Sequence, residues 1–202
     1  MQVAEIFKSR QGEGANCGRE AVFLRFAGCN LSCPWCDTDW KNGEELSANE
    51  IIRRLEKTAG ETRFLVVTGG EPLLQDNLSL LLATLKRLGW EIALETNGLI
   101  GLTPELKAAL DYVSVSPKAG FAGLYKPETM LREANEVRVV AEEAATAEFC
   151  KKINILIRAS HYFISPCERG GKMDFNMAAE LLGSLGRPWL LSVQLHKLAG
   201  FR

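Results

Sequence analysis

Short apolar, β-branched runs recur along this chain, and the stretches between them carry apolar residues at helical spacing. The runs at 22–27, 64–68, 91–94, 112–115, 136–140, 161–164 and 189–195 read as strands, and 3–7 as a further edge strand. The run at 153–158, Ile-Asn-Ile-Leu-Ile-Arg, suits either a strand or a helix end. Helix start signals fall between the strands. Ser47-Ala48-Asn49-Glu50 is a capping box, after which Ile51, Ile52 and Leu55 share one face. Thr103-Pro104 is an N-cap followed by proline at the first helical position. The leucine-rich stretch 78–88 closes on Gly89, a helix-ending residue. This alternation predicts an α/β architecture around a parallel sheet, as one domain spanning 1–202 with no linker or repeat.

Placed on that pattern, the polar clusters are not scattered. Cys29, Gly69-Gly70-Glu71-Pro72, Glu95-Thr96-Asn97-Gly98, Ser116-Pro117-Lys118, Ser165-Pro166-Cys167-Glu168 and His196 each follow a predicted strand. In a barrel of parallel strands those ends converge on one rim, where active sites are built. Taken singly, each is an ordinary turn signal.

Composition narrows the function classes. The chain is 47% hydrophobic and 24% charged, with 24 basic against 25 acidic residues and net charge -1. That balance lacks the basic stripe of a nucleic-acid or membrane-surface protein. No stretch is apolar enough to span a bilayer and the first residues lack a signal pattern, so the expected location is cytoplasmic, with no nucleic-acid or membrane partner. Phosphate-loop, dinucleotide and Gly-x-Ser-x-Gly hydrolase motifs are absent.

Cys29, Cys33 and Cys36 stand as Cys-x-x-x-Cys-x-x-Cys, and no fourth cysteine follows at short spacing. Three close thiolates suit an iron–sulfur cluster with one iron left open to chelate a small molecule. Zinc is the alternative, with a fourth ligand drawn from Cys17, Cys150, Cys167, His161 or His196. Disulfides fit less well, because six cysteines are sparse in 202 residues. Outside the triplet, Cys17, Cys150 and Cys167 read as small buried apolar residues. Glycines at 69 and 70 would let backbone approach a ligand closely. Arg25, inside a strand that should be buried, needs an anionic partner: a substrate carboxylate, or an internal Asp or Glu. Glu95 is a candidate proton-transfer group or polar anchor.

The loop Gly28-Cys29-Asn30-Leu31-Ser32-Cys33-Pro34-Trp35-Cys36-Asp37-Thr38 resembles the cluster loop of the radical S-adenosylmethionine (SAM) superfamily. The resemblance implies a [4Fe-4S] cluster on Cys29, Cys33 and Cys36, with SAM on the open iron. It further implies that Gly70 receives the SAM amino group and that Ser116, Pro117 and Lys118 meet its carboxylate end. Trp35, Cys36 and Asp37 would lie beside the adenine, and Ser165, Pro166, Cys167 and Glu168 would close its other side. Arg10-Gln11-Gly12-Glu13-Gly14, Arg25, Asp37-Thr38 and Gln194-Leu195-His196-Lys197 narrow the resemblance to the 7-carboxy-7-deazaguanine synthase family, from Gln11 to Arg202.

That family implies a shortened, incomplete (β/α)6-type radical SAM barrel. It implies ring contraction of 6-carboxy-5,6,7,8-tetrahydropterin to 7-carboxy-7-deazaguanine with loss of ammonia and catalytic use of SAM, in queuosine-type biosynthesis. Substrate contacts would come from Arg10, Gln11, Gly12, Glu13, Arg25, Thr68, His196 and Arg202, and Thr38 would hold Mg2+. An arginine at the tail departs from the neutral residue common there. A homodimer and an electron donor such as a flavodoxin are the implied partners. A glycyl-radical activase would share the cysteines and Gly-Gly-Glu-Pro but has no use for Gln11, Glu13, Arg25 and His196. A zinc-stabilised binding module would be colourless and free of sulfide.

Overall fold

The structure is a computed structural model, and it describes residues 1–36 and 39–201. Strand β1 (Gln2–Arg10) runs antiparallel to β2 (Glu20–Phe26), and the two-residue β3 (Glu44–Glu45) pairs with the other side of β1. The chain then alternates through α1 (Ala48–Ala59), β4 (Phe64–Gly69), α2 (Leu78–Arg87), β5 (Glu91–Thr96), α3 (Pro104–Ala109) and β6 (Tyr112–Val115). It continues through β7 (Glu133–Ala141), α4 (Thr146–Leu156) and β8 (Arg158–Pro166) to a small hairpin, β9 (Glu168–Arg169) with β10 (Lys172–Met173). Helix α5 (Phe175–Leu185), strand β11 (Trp189–Leu191) and the short α6 (Leu195–Ala199) complete it.

The sheet order is β11-β8-β7-β6-β5-β4-β2-β1-β3, and every pairing from β2 to β11 is parallel. Its edges, β11 and β3, are not paired with each other, so the barrel is incomplete, as the sequence led us to expect. Among the described residues no helix is long and apolar enough to cross a membrane.

Strand alternation sorts the side chains between two faces. On the helix side, Val22, Leu24 and Phe26 of β2, Leu65 and Val67 of β4, and Ile92 and Leu94 of β5 pack with Ile51, Leu55, Leu82 and Trp90. Val137 and Val139 of β7 pack with Phe149, Ile153 and Ile164 in a second cluster. The residues between them face inward. At the end of the sheet where the parallel strands begin these are Phe7, Phe23, Phe64 and Val66, with Phe7 and Phe23 stacked at 4.9 Å between centroids. Farther along the parallel strands come Arg25 of β2, Thr68 of β4, Glu95 of β5, and Glu136 and Arg138 of β7, so the inner face changes from aromatic to charged.

The predicted caps form: Ser47 Oγ accepts from Glu50 N at 3.3 Å, and Thr103 Oγ1 from Leu106 N at 3.3 Å. Two expectations are corrected and one open reading is resolved. The 3–7 strand extends over Gln2–Arg10 and lies inside the edge, because β3 covers it. The 153–158 run is divided, with α4 ending at Leu156 and β8 starting at Arg158. The 189–195 strand stops at Leu191, because the chain turns so that Leu195 N can donate to Gly12 O at 2.9 Å.

Candidate active site

The cysteine loop leaves β2 and is pinned at its root by the Gly-Gly-Glu turn that follows β4. Gly70 N donates to Phe26 O at 3.0 Å and Glu71 N to Gly28 O at 2.9 Å. A Cβ on Gly70 would stand 2.0 Å from Gly28 O; one on Gly69, whose φ is +137°, would stand 2.1 Å from Phe26 O. The bare backbone is therefore needed for contact with the chain's own cysteine loop, and Gly69 and Gly70 also line the cavity described below.

The Glu71 carboxylate is wholly buried and accepts from Asn97 N at 2.8 Å, Leu73 N at 3.1 Å and Thr96 Oγ1 at 2.8 Å. Among the described residues no cation partners it directly, and burial raises its pKa above the usual carboxylate range despite these donors. It fixes Asn97, whose Nδ2 donates to Asn30 Oδ1 at 2.7 Å, between Cys29 and Cys33. Asn97 O accepts from Tyr125 OH at 3.1 Å, and that hydroxyl accepts from Lys118 N at 2.8 Å. Lys118 Nζ donates to Ser116 Oγ at 2.7 Å and stands 5.1 Å from the centroid of the Trp35 ring. Burial lowers the Lys118 pKa, with the Cys33 sulfur opposing that shift.

One cavity of about 490 Å³ joins this loop to the charged inner face of the sheet. Cys29, Cys33, Cys36, Trp35, Gly70, Ser116 and Lys118 line it, and so do Arg10, Gln11, Gly12, Glu13, Arg25, Thr68, Glu95, Arg138 and His196. Arg138, on β7, is the residue that sequence reading missed. Its Nη1 lies 3.2 Å from Glu13 Oε2, its Nη2 2.5 Å from Glu95 Oε1, and its Nε 3.1 Å from Glu136 Oε1. The signal was available: Glu136-Val137-Arg138-Val139 alternates charged with apolar, which puts both charges on the face of Glu95. Glu95 also accepts from Gln11 Nε2 at 3.0 Å and Thr68 Oγ1 at 2.8 Å. Burial alone would raise its pKa, but Arg138 and these donors outweigh burial and hold the carboxyl below its usual range. Of the two roles considered, that favours the polar anchor.

The two ends of the chain meet at the cavity. Gln194 Nε2 donates to Glu13 Oε1 at 2.7 Å, and Gly14 N donates to Ser192 Oγ at 2.9 Å. The His196 ring lies against Gly12, where a Cβ would come 2.1 Å from Nδ1. Arg25 Nε lies 2.8 Å from Glu5 Oε1, so the internal ion pair is the arrangement present, although both residues line the cavity. Arg10 Nη1 donates to Gly18 O at 2.9 Å.

Other expected residues fall elsewhere. Pro117, Ser165, Pro166 and Cys167 are buried off the cavity wall, and Glu168 pairs with the wall residue Lys197 at 2.6 Å. Asp37, Thr38 and Arg202 lie outside the described residues. None of the six cysteines forms a disulfide; Cys150 is buried, its thiol pushed up to about 12 by burial, but Cys17 is exposed and not the core residue expected.

The donor set fits a cluster with SAM. Three cysteine thiols share one wall with the half-buried Lys118, and Trp35 Nε1 and Ser165 Oγ are buried polar atoms without a hydrogen-bond partner among the described residues. No three His, Cys, Asp or Glu side chains among the described residues close on one point as a single metal ion requires. Burial raises the Cys29 and Cys33 thiols, so metal loading here is coupled to proton release.

Residues 24–157 match the family model described as the radical SAM superfamily. The 7-carboxy-7-deazaguanine synthase of Neisseria meningitidis serogroup B is 44% identical over 205 residues, covering 98% of this chain and 93% of that protein. The enzyme of that name from Haemophilus influenzae is 39% identical over 205 residues, covering 99% and 93%. The crystal structure of QueE from Escherichia coli superposes with a TM-score of 0.72 at 25% identity, covering 96% of this chain and 94% of that one. With its three-cysteine loop and open parallel barrel, the chain belongs to the radical SAM superfamily and, within it, to the 7-carboxy-7-deazaguanine synthase family of lyases.

Proposed function

We propose that this enzyme contracts 6-carboxy-5,6,7,8-tetrahydropterin to 7-carboxy-7-deazaguanine with loss of ammonia, regenerating SAM in each cycle, within queuosine-type deazapurine biosynthesis. One observation carries the reading: the cavity that holds the three thiols also holds an acceptor-rich wall of Gln11, Glu13 and Glu95 beside Arg25 and His196. When bound, the cluster and SAM supply one-electron hydrogen abstraction, and the protein supplies position and exclusion of water.

Glu13, Glu95 and the Gln11 carbonyl oxygen accept hydrogen bonds from the pterin amino and ring N–H groups. Arg25 exchanges its Glu5 partner for the pterin carboxylate, a bidentate contact that a guanidinium suits. His196 borders the ring, Arg10, Gly12 and Thr68 complete the pocket, and the Arg202 carboxylate reaches it from the tail. Lys118 and Ser116 meet the carboxylate end of SAM and Gly70 its amino group. The adenine lies beside Trp35, Cys36 and Asp37, and Ser165, Pro166, Cys167 and Glu168 back its other side from behind the cavity wall. Thr38, with substrate oxygens and water, holds Mg2+, which prefers such hard donors. The enzyme works in the cytoplasm as a homodimer and takes electrons from a flavodoxin-like protein.

The test is anaerobic incubation of the cluster-loaded protein with SAM, magnesium, a reductant and the pterin. Formation of 7-carboxy-7-deazaguanine, followed by mass spectrometry, supports the reading. Cleavage of SAM with the pterin unchanged overturns the substrate.

A further inference from the structure

The inner face carries three glutamates around one guanidinium, and they are used unequally. Each carboxylate offers about four acceptor positions. Glu136 accepts three bonds, at Oε1 from Ser114 Oγ at 2.8 Å and at Oε2 from Ala15 N at 2.8 Å and Tyr112 OH at 2.9 Å, while Arg138 Nε, which donates to Ser114 Oγ at 2.9 Å, lies 3.1 Å from Oε1. It is 2% exposed and lies off the cavity wall. Glu13 accepts one bond at Oε1, from Gln194, and one at Oε2, from Arg138. Glu95 accepts two at Oε1, from Gln11 and Arg138, and one at Oε2, from Thr68. Glu136 is closed off by burial, so the acceptor positions that a ligand in the cavity can reach are those of Glu13 and Glu95, which line it.

We infer that Arg138 is a positioning residue for substrate recognition: charge-balanced from behind by Glu136, it fixes Glu13 and Glu95 so that their remaining acceptors face the pterin's 2-amino and ring N–H edge. This rests on the substrate reading above. Without the guanidinium, the closely spaced carboxylates repel, and one of them takes up a proton. A protonated carboxyl presents a donor to an edge that is itself made of donors. The planar fork matters as well as the charge, because Nη1 and Nη2 reach different carboxylates. Glu136 acts only through this arrangement and through the loop that begins at Gly14. Recognition of one edge of the ligand is thus set by a strand at which no short motif points.

The experiment compares wild type, Arg138→Lys, Arg138→Gln and Glu136→Gln in two ways. The first is equilibrium binding of oxidised 6-carboxypterin, which is fluorescent and does not turn over. The second is the ratio of kcat/KM for the tetrahydropterin to that for its lumazine counterpart, in which the 2-amino donor is replaced by a carbonyl. Iron content, SAM affinity and unfolding midpoint serve as controls. Arg138→Gln weakens pterin binding on the order of tenfold to a hundredfold, the cost of misaligned charged hydrogen bonds, and brings the ratio toward unity. Arg138→Lys and Glu136→Gln shift both in the same direction by less. They carry the test if Arg138→Gln does not fold, which removal of one partner from a buried ion cluster can cause.

A residue that merely braced the fold would lower every rate together and leave the ratio alone. Folded variants that bind 6-carboxypterin normally and keep the wild-type ratio overturn the inference. Wild type that cleaves SAM but does not bind the pterin overturns the substrate reading and this inference with it.

Discussion

Two glutamates, one behind the cysteine-loop wall of the cavity and one on its charged wall, are pushed in opposite directions. Glu71, behind the cysteine loop, is held by backbone N–H groups and a threonine hydroxyl, and burial raises its pKa. Glu95, on the inner face of the sheet, meets Arg138 at 2.5 Å, and its pKa is lowered. Neutral donors satisfy a carboxylate without supplying charge, whereas a guanidinium keeps it ionised against burial. The same contrast separates the two walls. The cysteine-loop wall is built from backbone contacts too close for any side chain, around Gly69 and Gly70. The other wall is built from paired charges delivered by β5, β7 and the two chain ends.

The sharpest way to break the comparison is to remove one wall and ask whether the other still works. Cys33→Ala abolishes iron loading and all 5′-deoxyadenosine formation, yet leaves 6-carboxypterin binding within reach of wild type, as fluorescence titration would show. If pterin binding vanished together with the iron, the walls would not be independent.

Next in size is the opposed pH response of the two carboxylates. A depressed carboxyl stabilises the fold above the ordinary glutamate range and loses that contribution as pH falls through its own lowered value. A raised carboxyl behaves in the opposite sense: its contribution is complete below the ordinary range and is lost as pH rises through the raised value. Unfolding midpoints measured from neutral to acid pH should therefore show the advantage of wild type over Glu95→Gln shrinking, while the balance against Glu71→Gln shifts toward wild type. Parallel trends would contradict the assignment of Arg138 as the cation that decides between them.

The smallest effect is expected at the seam between the chain ends. In Gly12→Ala the new methyl meets the His196 ring, a side chain that can turn away, so the fold is kept. The ring then leaves its place over residue 12, and kcat/KM for the pterin falls severalfold at unchanged SAM affinity, a contact effect of about 1 kcal/mol. An unaltered kcat/KM would remove His196 from the pocket wall.

The walls were unequally legible in the sequence. Cys29, Cys33, Cys36, Gly-Gly-Glu-Pro and Ser-Pro-Lys are short local motifs, and each follows its strand as the alternation required. Pinning of the cysteine loop by Gly69 and Gly70 was hidden, because the contact joins segments whose separation only the sheet order closes. Arg138 was missed for a related reason. Its partners Glu13 and Glu95 lie 125 and 43 residues away, and nothing local distinguishes an arginine seeking three carboxylates from one on a solvated strand. Ser165, Pro166 and Cys167 were placed on the rim by position after a strand, yet β8 runs through Pro166 and buries them. His196 belongs to a helix, because the tail stops pairing in the sheet and folds back on Gly12.

The central claim is that one cavity brings the pterin's C6 beside SAM held at the cysteine loop. Its most direct test is anaerobic turnover with pterin deuterated at C6, followed by mass spectrometry of the recovered SAM. The account predicts deuterium at the 5′ carbon of SAM, rising with turnover as 7-carboxy-7-deazaguanine forms. Product formation with SAM left free of deuterium would contradict it.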